Sequence, residues 1–128
     1  RDVVLATGDG YFMFGTPMTA LWSAAHYKAP FLTVVFVNRS YSTGTNYLNL
    51  MYPDGVSVRS GNYEGGVFDP PPDFAKLAES ANSYGENVTD VNEVAPALKR
   101  GLEQVRNGTP AVIAMALPTL VEEMNIPS

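Results

Sequence analysis

Val3-Val4-Leu5-Ala6-Thr7-Gly8-Asp9-Gly10 and Phe31-Leu32-Thr33-Val34-Val35-Phe36-Val37-Asn38 are the two stretches whose reading decides the fold. The first is a short apolar run ended by Gly-Asp-Gly, which predicts a buried strand stopped by turn residues. The second is rich in β-branched and aromatic residues and apolar nearly throughout, as expected of a strand covered on both faces of a parallel sheet. A helix is expected between them. Thr16 suits its N-cap, Pro17 its first position, and Met18, Leu21, Trp22 and Ala25 repeat at helical spacing. It should end near Tyr27 to Ala29, ahead of Pro30. Strand, helix and strand in this order make a βαβ unit.

Further along, the pattern fails from Arg39 to Pro71, where five glycines and Pro53 interrupt scattered Tyr and Asn. Tyr47, Leu48, Leu50 and Met51 suggest one or two helical turns there, and so long an irregular stretch in a compact domain points to a functional role. Asp73 then opens a helix carrying Phe74, Leu77, Ala78 and Ala81 on one face, with Gly85 as its stop. Glu86-Asn87-Val88 reads as a short edge strand. Asp90 and Glu93 form a capping box for a helix whose apolar face is Val91, Val94, Ala95, Leu98, Leu102 and Val105. Lys99, Arg100 and Arg106 lie toward the negative end of that helix, and Asn107-Gly108 ends it. Ala111 to Leu117 is a last strand. Alternating strands and helices predict an α/β domain of three layers, a mainly parallel sheet with helices on both faces.

Composition narrows the function classes. The chain has 128 residues, 45% hydrophobic and 16% charged, with 13 acidic and 8 basic side chains, one His and no Cys. That fits one modest domain with a real core. A net charge of −5 offers no basic stripe for a phosphate backbone, so no nucleic-acid partner is expected. No apolar run reaches the roughly 20 residues a bilayer span needs, so no membrane partner is expected either. The absence of Cys removes disulfide scaffolds, thiolate metal sites and thiol nucleophiles. No basic segment leads into an apolar one as in a secretory signal, which makes the cytoplasm the expected location.

The most informative feature is electrostatic. Between Val3 and Tyr27 one charged side chain occurs, Asp9. A carboxylate in so apolar a stretch must be paired, hydrogen-bonded or metal-bound, or it takes up a proton. It stands at the C-terminal end of a strand, between two glycines that let backbone N–H groups and a ligand approach. That edge of an open parallel sheet is where α/β proteins bind ligands. The second strand ends on the same edge with Asn38 as its first polar residue. Parallel neighbours lie about 4.8 Å apart, close enough for Asp9 and Asn38 to share a hard cation such as Mg²⁺, whose oxygen ligands sit at about 2.1 Å. On its own, Gly8-Asp9-Gly10 also reads as a tight turn and Asn38 as a strand-end cap. A dinucleotide fingerprint is unsuitable, because Met13 stands where the third glycine belongs, and Gly10 to Gly15 lacks the lysine of a P-loop.

Gly8-Asp9-Gly10, 26 residues, then Val37-Asn38 resembles the diphosphate and metal motif of thiamine diphosphate enzymes, GDG followed after 24 to 27 residues by NN. The surrounding segments agree: Pro30 through Tyr41, Pro72-Asp73-Phe74-Ala75-Lys76-Leu77-Ala78, and Gly108-Thr109-Pro110-Ala111-Val112-Ile113. Together they resemble the C-terminal part of the acetolactate synthase, benzoylformate decarboxylase and pyruvate decarboxylase group over nearly the whole chain. The resemblance implies thiamine diphosphate and Mg²⁺ as cofactors. It implies Asp9, the Asn38 side chain and the backbone carbonyl of Ser40 as metal ligands. Gly8, Gly10, Tyr11 and Tyr41 join these at the cofactor, with amides around Gly10 and Tyr11 on the diphosphate. Val37 departs from the first Asn of the NN pair, and Tyr11 stands where Ser is common.

The same resemblance implies a reaction in which a 2-oxo acid loses carbon dioxide and the product is protonated or joined to a second carbonyl compound. The glutamate that activates the cofactor belongs to a separate pyrimidine-binding domain, usually on a partner subunit of an oligomer. No catalytic residue is therefore expected in this chain, and the chain is expected to be the C-terminal part of a diphosphate-binding domain, inactive alone. A non-catalytic α/β binding or assembly module, or one subunit of a split enzyme, are the alternatives. Tyr41, Thr43, Thr45 and Tyr47 fall where relatives place substrate-facing residues, and equally read as ordinary loop groups. His26, beside Trp22 and Tyr27, is expected to be structural, and Met18 and Trp22 to pack in the core.

Overall fold

The computed structural model describes residues 1–118. They divide into two compact units, one built from residues 1–38 and 73–117, the other from the intervening segment 39–72. The first unit is a four-stranded parallel sheet of β1 (Val4–Gly8), β2 (Leu32–Val37), β3 (Tyr84–Val88) and β4 (Ala111–Ala116), in the order β1-β2-β4-β3. Two short helices, α1 (Asp9–Phe14) and α2 (Pro17–His26), link β1 to β2. In the second unit lie α3 (Ser42–Met51) and α4 (Val56–Ser60), while α5 (Phe74–Ser80) and α6 (Val94–Arg106) flank β3 in the chain. No helix among the described residues is long and apolar enough to cross a membrane.

Strand alternation sorts the core into two faces. On one, Val35, Val112 and Ala114 pack with Phe12 of α1, Leu21 of α2 and Phe74 and Ala78 of α5. On the other, Leu32, Val34, Ala111, Ile113 and Met115 pack with Ala97 and Val105 of α6. The result is the expected three-layer α/β arrangement. Phe12 meets Phe74 edge-to-face with centroids 5.6 Å apart, a geometry worth about 1 kcal/mol beyond the area it buries.

Several local expectations need correction. β1 is an edge strand paired with β2 alone, so Val4 and Leu5 are half-exposed instead of buried on both sides. Gly8-Asp9-Gly10 is no turn: Gly8 completes β1, and Asp9 and Gly10 begin α1. Thr16 precedes α2 in the left-handed region, and its side chain makes no capping bond. Gly85 does not stop α5. Asn82, at φ 57°, is the left-handed residue after that helix, and Gly85 lies within β3. In α6 Ala97, Gly101 and Val105 are buried and Val94, Leu98 and Leu102 pack against the core as expected, whereas Ala95, and Val91 ahead of the helix, face solvent. Asp90 caps not α6 but a 3-10 turn ahead of it, Val91–Glu93, by accepting from the Asn92 N–H; Glu93 stands at the N-cap of α6 without a capping bond, and its carboxylate turns to Arg100, 3.6 Å away. Arg100 itself is mid-helix and binds Glu86 of β3, which also accepts from the Tyr84 hydroxyl at 2.6 Å. These bonds, Arg100 foremost, hold the Glu86 carboxyl below its ordinary value.

Asp73 does cap α5. Its carboxylate accepts from the Lys76 N–H at 3.1 Å and from the Asn87 amide at 2.8 Å, with the Lys76 ammonium 3.0 Å away. The Asn87 bond, then Lys76, pulls its pKa from 3.8 to about 2. A depressed carboxylate stabilises the fold above its unfolded pKa and loses that contribution as the pH falls through the folded one. The urea midpoint should therefore drop between about pH 4 and pH 2, and drop less steeply in Asp73→Asn; equal slopes for the two chains would refute the assignment.

Candidate functional site

Because all four strands run parallel, their C-terminal ends share one edge. The register sets Gly8 beside Phe36; Asp9 opens α1 directly after Gly8, and Asn38 comes two residues after Phe36 on the adjacent strand. The first unit thus brings Gly8, Asp9, Gly10, Tyr11 and Asn38 to the C-terminal edge of the sheet.

Asp9 is 2% exposed, the only carboxylate among the buried polar residues of the described chain. It is held there because α1 is anchored by Phe12 against Phe74. The N–H of Gly10 donates to Asp9 Oδ1 at 2.8 Å, one of about four lone-pair positions on a carboxylate. Asn38 is half-buried. A Cβ built on Gly8 meets nothing within 4 Å, so the space beside the strand end is open. Gly10 is buried and Tyr11 is 77% exposed.

Ser40 and Tyr41 belong to the second unit. Ser40 is buried and forms an isolated antiparallel bridge with Val67. Its hydroxyl lies 2.7 Å from that of Ser42. The Tyr41 N–H donates to the Gly66 carbonyl at 2.9 Å, and its ring stands edge-on to Phe68 at 4.6 Å. The segment expected to be irregular carries α3 over ten residues, longer than the one or two turns read from its apolar cluster. Thr45 is buried in it, while Thr43 and Tyr47 are exposed.

Donor chemistry suits a hard cation. No group of three or more His, Cys, Asp or Glu side chains gathers among the described residues. A cation at this edge would draw on the Asp9 carboxylate, the Asn38 amide oxygen and backbone carbonyls, an all-oxygen set of the kind Mg²⁺ takes. Sequence reading missed α1, whose signal was faint: Phe12 follows Asp9 by three residues, one turn on. His26 is stacked on Trp22 with centroids 5.0 Å apart, but on the surface. Met18 and Trp22 are about half-exposed, because α2 turns Leu21 and Ala24 inward instead.

A Gly-Asp-Gly strand end and an Asn just past the neighbouring strand end thus lie on a parallel α/β sheet of order β1-β2-β4-β3. Residues 1–115 match the family Thiamine pyrophosphate enzyme, C-terminal TPP binding domain, and the chain belongs to that family. It is 31% identical over 107 residues to the acetolactate synthase isozyme 3 large subunit of Escherichia coli K12, covering 84% of this chain and 17% of that one. Over 100 residues it is 34% identical to a probable acetolactate synthase large subunit of Methanococcus aeolicus, covering 78% and 15%. A solved thiamine diphosphate-dependent 4-hydroxybenzoylformate decarboxylase of Rhodococcus jostii superposes with TM-score 0.74 at 28% identity, over 93% of this chain and 20% of that one. Benzoylformate decarboxylase from Polynucleobacter necessarius, at TM-score 0.72 and 21% identity, shares the fold over 92% and 20%. The chain therefore spans a fifth or less of the length of these relatives.

Proposed function

We propose that this chain is the Mg²⁺ and thiamine diphosphate-binding segment of a 2-oxo acid decarboxylase or carboligase of acetolactate synthase type, and that it is inactive without the rest of that enzyme. The observation that carries the reading is the buried Asp9 at the end of β1, beside the strand that ends in Asn38. Asp9 and the Asn38 amide oxygen would ligate the metal, with the Ser40 carbonyl, two residues further along the chain, as a third ligand. Amides near Gly10 and Tyr11 would hold the diphosphate, and Tyr41 would lie at the cofactor. Val37 in place of the family's first Asn leaves the ligating second Asn in place.

The cofactor would supply the carbanion-stabilising chemistry, and the residues of this chain would position it and hold the Mg²⁺ that offsets its diphosphate charge. The metal would serve there as an anchor and not as the Lewis acid at a reacting carbonyl. A pyrimidine-binding domain and an upstream part of the diphosphate domain would complete the site, most naturally in a homo-oligomer. Calorimetric titration of the 128-residue chain with thiamine diphosphate should give binding heat with Mg²⁺ and none with EDTA. No Mg²⁺-dependent heat at millimolar cofactor would overturn the binding role. Measurable decarboxylation of a 2-oxo acid by the chain alone would overturn its inactivity.

A further inference from the structure

The four strands also share an N-terminal edge, opposite the one that carries Asp9. There Arg1 and Asp2, ahead of β1, Lys28, ahead of β2, and Arg106, the last residue of α6, line an open cavity of about 530 Å³. Phe31 and Val105 add apolar surface to the same lining. That volume is in the range of small-molecule sites. Charge is gathered unevenly: three of the eight basic side chains meet here with one of the thirteen acidic ones, in a chain of net charge −5. Glu103, one turn back on α6, is outside the lining. Asp2 accepts from Nε and Nη2 of Arg106 at 3.2 and 2.7 Å, which fixes the guanidinium and leaves its Nη1 unbonded. Neither Arg1 nor Lys28 is ion-paired among the described residues.

Lys28 reaches this place in strained backbone. After α2 its N–H donates to the Ala25 carbonyl and that of Ala29 to the Ala24 carbonyl, the paired bonds of a Schellman motif. Lys28, at φ 53°, takes the left-handed position that glycine usually fills. A cation would complement the negative end of α2 as well a residue or two earlier, without that strain. Strain of this kind points to a use for the side chain.

We propose that this cavity binds a phosphate monoester whose organic group is small and uncharged. Three cations against one carboxylate leave two positive charges for the dianion that a monoester carries above its second pKa of about 6. Arg106 offers a guanidinium suited to phosphate oxygens, and Lys28 a compact ammonium. The apolar side chains give the organic group a surface that a bare phosphate would leave unused. Thiamine diphosphate fits poorly, because its thiazolium is itself a cation. None of Asp9, Asn38 or Gly10 lines the cavity, so binding there needs no metal.

Calorimetric titration of the 128-residue chain in EDTA near neutral pH, with phenyl phosphate as the probe, tests this. Phenyl phosphate should bind at one site per chain, at least tenfold more tightly than inorganic phosphate, and phenol should give no heat. Lys28→Gly should weaken phenyl phosphate at least tenfold without lowering the melting temperature, since glycine suits the left-handed position. Arg106→Gln should weaken it similarly, and Lys99→Gln, at an exposed position outside the cavity, should leave it unaltered. No heat at millimolar phenyl phosphate overturns the proposal. So does binding that survives both cavity substitutions in folded protein, or succinate bound as tightly, which would make the site one for dicarboxylates. Because EDTA is present throughout, each of these results leaves the Mg²⁺-dependent cofactor reading standing.

Discussion

Gly85→Ala should lower the melting temperature of the chain by roughly 10 °C or more. A Cβ at position 85 would stand 2.2 Å from the Ala75 carbonyl oxygen and 2.6 Å from its Cα. Both are backbone atoms of α5, so no side chain can rotate away, and the helix itself must lift from β3. Overpacking that flexible groups absorb costs about 1–3 kcal/mol. Displacing a helix whose Phe74 and Ala78 are buried in the core belongs at or above the upper end of that range, which for a domain of this size is about 10 °C. Gly101→Ala provides the comparison. Its nearest neighbour would be the Leu32 Cδ1 at 2.8 Å, the far end of a side chain, so the loss should be smaller. Thermal melts followed by circular dichroism rank the two; equal melting temperatures for Gly85→Ala and the parent chain would show that α5 is not seated on β3 as described.

Asp9→Ala should weaken Mg²⁺-dependent thiamine diphosphate binding at least 100-fold, about 2.7 kcal/mol, while the fold is retained. The two readouts separate the possible roles of this carboxylate. A charge held at 2% exposure is costly to desolvate. If it served only to receive the Gly10 N–H, Asp9→Asn would serve equally and binding would persist. If it is the anionic metal ligand, Asp9→Asn keeps an oxygen for Gly10 but loses the charge, and binding falls with it. Asn38→Ala removes a neutral ligand and should cost less, about tenfold. Unchanged affinity in Asp9→Ala, measured on protein with an unaltered melting curve, would remove Asp9 from the site.

How much of this was legible in the sequence depends on where the signal was local. β2 and β4 were legible because both are continuous apolar runs in a sheet that covers both faces. The α5 cap was legible because Asp73 acts on an N–H three residues away. Asp9 and Asn38 could be singled out because a lone carboxylate in an apolar stretch and a polar residue ending a buried strand are anomalies in one dimension. Other features depended on tertiary context. Whether Val4 and Leu5 are covered is decided by their strand's place at the sheet edge, which their own apolar pattern does not encode. Gly85 resembled a helix stop because glycine serves there so often. Its role is a close approach between helix and strand, visible once Ala75 is placed beside it. Leu21 was legible on the inward face of α2, but the choice of Ala24 over Met18 and Trp22 beside it was hidden because both sets repeat at helical spacing.

Central in the sheet, β2 and β4 are neighbours although Leu32 pairs with Ala111, far along the chain. Everything from Asn38 to Asp73 is a detour within the loop that this pairing closes. Loop-closure entropy grows with the logarithm of length, so doubling such a loop costs only about 0.6 kcal/mol. Helices α3 and α4 could accordingly be lengthened, shortened or exchanged with little penalty to the pairing of β2 with β4. The strand pairing that positions Asn38 is thus little burdened by the length of the segment that follows it. The pairing of the two central strands can persist while the length of the α3–α4 segment, beyond Tyr41, changes.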